Sequence, residues 1–247
     1  MKKSKLSLAL ALVLALTLIF TACGEEASAP VSGQIIPAAT TSEGISGEVV
    51  PATEAVEATE VPVSLGRIEG GTYINNYAGF GCELDSNWSF YTAEELQDLP
   101  SNITELLEGS ELVGEDMPLQ ISDMKAENAN DLTSVNILYQ KLSMQDRLLY
   151  LNRSEEDVID ATLANSDLMI SAYEQMGLIV DSMEKVTVTF LGEERVALRT
   201  ASTWDGIPYY TLQLFDYHAG EYSVTTTFAS YLEDNTESLL DLFFPVA

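Results

Sequence analysis

The chain has 247 residues, with 39 acidic residues against 11 basic ones and a formal net charge of −28 at pH 7. Such a charge repels the phosphates of nucleic acids and the anionic surface of a membrane. It therefore excludes electrostatic binding to a nucleic acid or to a membrane as the function. It favours long-range attraction of basic proteins or cations, although an acidic surface also serves solubility alone.

The start of the chain has the pattern of a secretory signal. Three lysines within residues 2–5 precede an apolar run over residues 6–20, which at 15 residues is too short to span a membrane. Two small residues then lead to Cys23, and this region resembles the signal of bacterial lipoproteins. The resemblance implies a signal peptide over residues 1–22 and a diacylglyceryl group on Cys23. The protein would then sit on the extracytoplasmic face of the cell membrane; the alternative is a secreted protein with a free amino-terminal cysteine.

The segment that follows has the composition of a tether. Residues 24–65 contain seven glutamates and four prolines but no lysine, arginine or aromatic residue. Such a segment cannot bury enough apolar surface to become ordered. As a flexible coil it would span roughly 35 Å. We therefore interpret residues 23–65 as the lipidated cysteine with a disordered tether, and residues 66–247 as one folded domain. Without its signal peptide the chain keeps 8 basic residues against 39 acidic ones, a net charge of −31.

The folded domain begins with short strands. A Gly-Gly turn at residues 70–71 precedes a predicted strand over residues 72–77, and alternating apolar residues predict a half-buried strand over residues 80–84. A polar turn at residues 85–87 separates this strand from a third one over residues 88–91.

A brief helix and two longer strands are predicted next. Thr92 and Glu95 have the spacing of a capping box that opens a brief helix, and residues 102–108 predict another helical turn or two. Strands are predicted over residues 119–126 and 135–142, with a polar, asparagine-rich connection between them.

The second half of the domain alternates helix, strands and helix. Ser154 and the three acids after it predict the start of the longest helix, which runs to about Met176 and ends at Gly177. Four strands that end near Phe228 form a predicted antiparallel meander. A closing helix is predicted over residues 233–244, with leucine and phenylalanine side chains to pack on the sheet.

The turn Asp205-Gly206 is the strongest hairpin signal in this meander. Strands, a long helix, a meander and a final helix together indicate an α+β domain in which helices flank an antiparallel sheet.

A family resemblance rests on the aromatic-rich opening of the domain. Residues 71–80, then Cys82 to Leu84, then residues 85–91 with Trp88 and Tyr91, are similar to the opening of many lipoproteins of Gram-positive bacteria. They also resemble, more distantly, the PsbP-like fold, in which such a hairpin leads into an antiparallel sheet flanked by helices. The resemblance covers roughly residues 66–247. It implies a binding or assembly module without catalysis, and no site residue is carried over from it.

The sequence holds few candidates for catalysis. His218 is the only histidine, and a Cys82–His218 pair is the sharpest nucleophilic hypothesis, because a thiol needs a nearby base. The competing interpretation is a buried, inert cysteine on a strand and a solvated histidine beside a turn. The carboxylate pairs, of which Glu155 and Glu156 are an example, are better explained by helix starts and turns. No metal or cofactor motif is present, and weak calcium binding by acidic turns stays open.

Aromatic residues near the Asp205-Gly206 turn give a better indication of binding. Trp204, Tyr209 and Tyr210 are of the types that interface hot spots and sugar-binding sites use, and the competing interpretation is packing within the sheet. The first hypothesis is a membrane-anchored module that binds an envelope protein. The second is a lipoprotein that binds a sugar, a peptide or a metal ion for a transporter. A hydrolase is the third and requires converging catalytic groups.

Overall fold

The computed structural model describes residues 65–96, 120–144, 147–148, 153–175, 177–217 and 221–246. The expected signal peptide, Cys23, the expected tether as far as residue 64, the helix expected over residues 102–108 and His218 lie outside these ranges.

The described residues form two antiparallel sheets, two full helices, a short 3-10 helix and the expected helical turn at residues 93–96, which Thr92 and Glu95 cap. The strands are β1 Arg67–Glu69, β2 Thr72–Asn75, β3 Phe80–Glu83, β4 Trp88–Phe90, β5 Gln120–Asn128, β6 Thr133–Lys141, β7 Leu178–Phe190, β8 Glu193–Trp204, β9 Ile207–Tyr217, β10 Tyr222–Tyr231 and β11 Phe243–Pro245. The helices are α1 Glu155–Ala164 and α2 Ser166–Gln175, and the 3-10 helix is Thr236–Leu242. The large sheet has the order β4-β5-β6-β10-β9-β8-β7, and the small sheet has the order β1-β2-β3-β11.

The meander and its hairpin are confirmed. Strands β7 to β10 pair in sequence order and antiparallel, and the large sheet continues through β6, β5 and β4. Asp205 and Gly206 have φ angles of 49° and 81°. Two successive positive φ angles make the tight turn whose twist suits an antiparallel hairpin. The α+β class with a mostly antiparallel sheet is therefore what the chain forms.

The expected single long helix is wrong, because the helix breaks at Asn165. Its start is as expected: the Ser154 hydroxyl accepts from the Asp157 amide, and the Asp157 carboxylate accepts from the Ser154 amide. At Asn165 the side-chain amide donates to the carbonyl of Ala161 at 2.8 Å. Asparagine competes in this way for backbone groups and disfavours helix interiors, so α1 ends there and α2 begins at Ser166.

The expected closing helix over residues 233–244 is also wrong. The chain makes the 3-10 helix Thr236–Leu242 and then the short strand β11, which pairs with β3. A residue before proline avoids the helical region, so Pro245 keeps Phe244 extended. The pairing gives β3 a second partner, and it places Phe243 opposite Cys82.

The main core lies between the small sheet and one face of the large sheet. Phe190 of β7 lies 5.9 Å from Phe80, 6.1 Å from Phe228 and 5.5 Å from Phe243, measured between ring centroids. Successive strand residues point to opposite faces, so the other face of the large sheet carries a second set of residues. There Tyr173 of α2 packs over β8 and β9. The domain therefore has three layers: small sheet, large sheet and helices.

A buried polar network joins the two sheets within this core. Asp123 interrupts the register of β5 against β6, since Ser122 pairs with Leu138 and Met124 with Ile137. Such a β-bulge re-aims the extra residue, and Asp123 points at β2. Its Oδ2 accepts from the Tyr73 hydroxyl at 2.5 Å and from the Asn75 side-chain amide at 2.6 Å.

The amide of Gly66 completes the network and ties the start of the domain to β5. It donates to Asp123 Oδ1 at 2.9 Å and to Oδ2 at 3.1 Å. The Asn75 side-chain amide also donates to the Tyr139 hydroxyl at 2.5 Å. The first described residues of the domain are thus held near the beginning of β5.

Candidate functional site

The aromatic residues expected to form a binding surface do not share one. Tyr209 is buried, with 1% of its surface exposed, and its ring stacks on Tyr231 at 4.7 Å. Tyr210 is half-buried and, by strand alternation, points to the opposite face of the sheet from Tyr209. Trp204, expected to be the most exposed of them, is half-buried at the end of β8. Of these three residues, Trp204 is therefore the one that lies next to the Asp205-Gly206 turn.

The environment of Cys82 is that of an inert thiol. The residue is fully buried on β3, and burial raises the pKa of its thiol to about 12. Because only the thiolate is a nucleophile, Cys82 as placed lacks the reactive form near neutral pH. Its proposed partner His218 lies outside the described residues.

Cys82 is expected to resist alkylation in the folded protein. A thiol pKa of about 12 in place of 9.0 lowers the thiolate fraction by about three orders of magnitude. Iodoacetamide labelling, located on the Cys82 peptide by mass spectrometry, should be slow in buffer and fast in denaturant. Fast labelling of the folded chain would contradict the buried placement.

Glu155 and Glu156, the carboxylate pair considered for catalysis, have separate structural partners. Glu155 and Asp216 both bind Arg195, while Glu156 and Asp160 both bind Lys185. Among the described residues, no three His, Cys, Asp or Glu side chains converge as a metal site. No helix in the same ranges has the length and apolar character that a membrane crossing requires.

Four turns lie together at one end of the large sheet. We call it the turn end and define it as residues 85–88, 128–133, 203–208 and 231–236. The strand registers place these turns side by side: Trp88 pairs with Asn128, Thr133 with Ser230, Tyr231 with Tyr209, and Trp204 with Ile207. Two of the turns are also bridged at 3.5 Å by the side chains of Asn130 and Asn87.

Two leucines of the turn end are exposed and have left-handed backbones. Leu132 has a φ of 54° and is 36% exposed, and Leu232 has a φ of 69° and is 56% exposed. A left-handed backbone costs a residue other than glycine roughly 1–2 kcal/mol. The Tyr231 amide donates to the Leu132 carbonyl at 3.1 Å, which places the backbones of the two leucines close together. The Leu232 amide donates to the Pro208 carbonyl at 3.0 Å, which ties Leu232 to the start of β9. Two apolar side chains are thus presented to solvent at strained positions.

The surroundings of these leucines are acidic. The four turns contain no lysine or arginine, and their acids are Asp85, Asp131, Asp205, Glu233 and Asp234. Arg199, which arises within β8, reaches Asp234 at 3.6 Å. Asp205, next to Trp204 in the chain, and Glu233, next to Leu232, are both exposed. The turn end therefore combines apolar side chains with a negative rim.

Buried tyrosines support the turn end from within. Burial raises the pKa of both the Tyr209 and Tyr231 hydroxyls, with Glu127 adding a smaller effect in the same direction. Both hydroxyls therefore stay neutral at physiological pH, and the two rings pack against each other at 4.7 Å as a buried pair beside these turns.

Among solved structures, the fold is similar to that of a cyanobacterial protein. One match is to cyanobacterial PsbP (CyanoP) from Synechocystis sp. PCC 6803, with a TM-score of 0.38 and 11% sequence identity over 70% of this chain and 91% of that chain. No protein-family model matches the sequence, and no curated protein matches it either. The likeness concerns the fold alone, and at this TM-score it says nothing about function, site or partner.

Sequence reasoning singled out Trp204, whose role stays a prediction, and did not consider Leu132 and Leu232. Both leucines stand in polar turns, in the runs Asn-Asp-Leu-Thr and Tyr-Leu-Glu-Asp. The usable signal was a lone leucine at a turn position that commonly takes glycine or asparagine. Their proximity could not be read from the sequence, because it depends on the pairing of β6 with β10.

Proposed function

We propose that this chain is a membrane-anchored, extracytoplasmic lipoprotein without catalytic activity that binds a basic envelope protein through the turn end. The observation that carries the proposal is the pair of exposed leucines, Leu132 and Leu232, at left-handed positions within an acidic rim. The signal-like residues before Cys23 and the tether after it support the anchoring.

The leucines support a binding role because each places exposed apolar surface on a strained backbone. Each adds backbone strain and leaves apolar surface in water, where glycine or asparagine would avoid both. Strained positions of this kind are concentrated at functional sites. Apolar anchors surrounded by a polar rim are the usual anatomy of a protein interface.

The charge supports a basic partner. The turns carry five acids and no base, and the chain as a whole has a net charge of −28. Complementary charge speeds association and excludes partners of the same sign. An anionic membrane surface would be repelled, so a protein with lysine or arginine around an apolar patch fits best.

The point of attachment leaves the turn end accessible. The tether enters at Gly66, which is bonded to Asp123 near the start of β5, whereas Asn128 at the other end of β5 belongs to the turn end. Partner and membrane anchor therefore approach from opposite ends of the large sheet.

Removal of both leucines is expected to abolish partner binding without harming the fold. In the variant Leu132→Gly/Leu232→Gly, glycine accepts the positive φ angles, so the free energy of unfolding should change by no more than about 1 kcal/mol. The envelope protein chemically crosslinked to the lipidated chain should fall at least about tenfold in amount, as expected when hot-spot residues are lost. Quantitative mass spectrometry of the crosslinked species and a denaturation curve measure the two effects.

The matched control is Leu148→Ser. Leu148 is 61% exposed and lies near the opposite end of the large sheet, next to Arg147, which pairs with Glu221. The Leu148→Ser substitution removes a similar amount of exposed apolar surface, so crosslinking of the envelope protein should remain at the wild-type level. Undiminished crosslinking in the double glycine variant would refute a role for the turn end.

A further inference from the structure

A cavity of about 440 Å³ opens at the end of the large sheet opposite the turn end. It lies where the first residues of the domain cross the beginning of β5 and the end of β4. Its walls are mainly apolar, formed by Leu65, Ile68, Ala93, Leu96 and Ile121, with the ring of Tyr91 among them. The remaining lining residues are Gly66, Gln120, Ser122 and Asp123. Its size is within the range of small-molecule sites.

Among the described residues that line this cavity, Asp123 is the single charged one. It is 8% exposed, and its Oδ2 already accepts from Tyr73, Asn75 and Gly66. Oδ1 accepts a hydrogen bond from the Gly66 amide and from no other described group. Since a carboxylate oxygen has room for two acceptor bonds, Oδ1 retains capacity for a donor from the cavity.

The neighbouring cation does not neutralise this carboxylate. Lys125 is two residues along β5, and its Nζ lies 3.0 Å from Glu127, 3.2 Å from the Tyr91 hydroxyl and 4.4 Å from the centre of the Tyr91 ring. Its charge is therefore engaged with Glu127 and Tyr91, and the described residues of the cavity lining include an acid but no base.

We propose that this cavity binds a small organic cation, an alkyl ammonium group whose nitrogen donates to Asp123 Oδ1 while its apolar body packs on Ile68 and Ile121. A buried carboxylate with acceptor capacity, and with no counter-ion among the described lining residues, attracts a cation rather than a neutral or anionic ligand. The apolar walls favour a hydrocarbon body over a polar one. This site is separate from the turn end and would give the protein a small ligand besides its protein partner.

The test uses n-butylammonium and its neutral analogue n-butanol with the full-length chain, titrated by calorimetry. The ammonium should bind at least tenfold more tightly than the alcohol. Asp123→Asn should weaken ammonium binding at least tenfold. Because Asp123 also supports the fold, a second variant, Ile68→Trp, places a large ring at the cavity mouth and leaves the polar network intact. It should abolish binding with the circular dichroism spectrum unchanged.

The matched control is Leu148→Trp, which adds the same ring at a position 61% exposed and outside the cavity lining. It should bind n-butylammonium like the wild type. Three results would each overturn the proposal: no measurable binding of the ammonium to the wild type, equal affinity for n-butanol, or undiminished binding in Ile68→Trp.

Discussion

Asp123→Ala is expected to lower the free energy of unfolding by about 3 kcal/mol or more, since removal of a buried acceptor leaves each of its donors unsatisfied. Three groups would lose their acceptor at once: the Tyr73 hydroxyl, the Asn75 side-chain amide and the Gly66 amide. These groups join β2 and the start of the domain to β5, so their loss also loosens the contact between the two sheets. Chemical denaturation of wild type and variant measures the change. A loss below about 1 kcal/mol would mean that the network is not a principal link.

The same residue predicts a pH dependence with a defined sign. Burial raises the pKa of Asp123 above its ordinary value of 3.8, and the hydrogen bonds from Tyr73, Gly66 and Asn75 only partly oppose this. The folded state therefore holds the proton more tightly than the unfolded chain. The stabilisation from protonated Asp123 is fully present below the unfolded pKa and is lost as pH rises through the folded pKa.

Asp123→Asn isolates this contribution, because asparagine does not titrate. The stability of the wild type relative to Asp123→Asn should be greater at about pH 4 than at about pH 7. Asp157→Asn is the control of opposite sign. Hydrogen bonds from the backbone and the side chain of Ser154 lower the pKa of Asp157, so its stabilisation is present above the unfolded pKa and lost as pH falls through the folded pKa. Equal pH dependence in both variants would contradict the assignment.

Phe190→Ala is expected to be the most damaging change in the apolar core, with a loss of about 3–5 kcal/mol. Phe190 is 1% exposed, and its ring meets Phe80 of the small sheet, Phe228 of the large sheet and Phe243 of β11. Truncation leaves a cavity that aromatic rings held by three different strands cannot close. The measurement is the midpoint and slope of chemical denaturation.

A matched substitution separates lost packing from general sensitivity. Phe190→Leu keeps most of the apolar volume and should cost less than half as much as the alanine variant. If the two variants were equally unstable, the loss would arise from a change in β7 itself rather than from the ring cluster.

The parts of the fold that depend on local sequence were predictable. The Asp205-Gly206 turn has two residues that tolerate positive φ, so the hairpin followed from their chemistry. The alternation of apolar residues along β7 to β10 gave the meander, and the capping residues Ser154 and Asp157 gave the start of α1. Each of these features is fixed by residues close together in the chain.

Features that depend on tertiary contacts were not predictable. The bulge at Asp123 shows itself only when β5 is paired with β6, and β11 forms because β3 offers an open edge to Phe243–Pro245. Asn165 is a weak helix former, which favours a break there. The apolar residues on both sides of it, however, favoured one continuous helix.

The candidate site divides in the same way. Trp204 was singled out because it adjoins a strong turn signal. Tyr209 and Tyr210 were grouped with it because they are near it in the sequence, but strand alternation places them on opposite faces of the sheet. Leu132 and Leu232 are 100 positions apart in the sequence, so only the pairing of β6 with β10 brings them together.

The most direct measurement of the central claim is site-specific photo-crosslinking in the cells that make the protein. A photoreactive amino acid would replace Leu232 in one variant and Leu148 in another, both being well exposed at opposite ends of the large sheet. The account predicts one recurrent basic protein attached at position 232, lost at high salt, and no such adduct at position 148. The same adducts from both positions, or none from position 232, would contradict it.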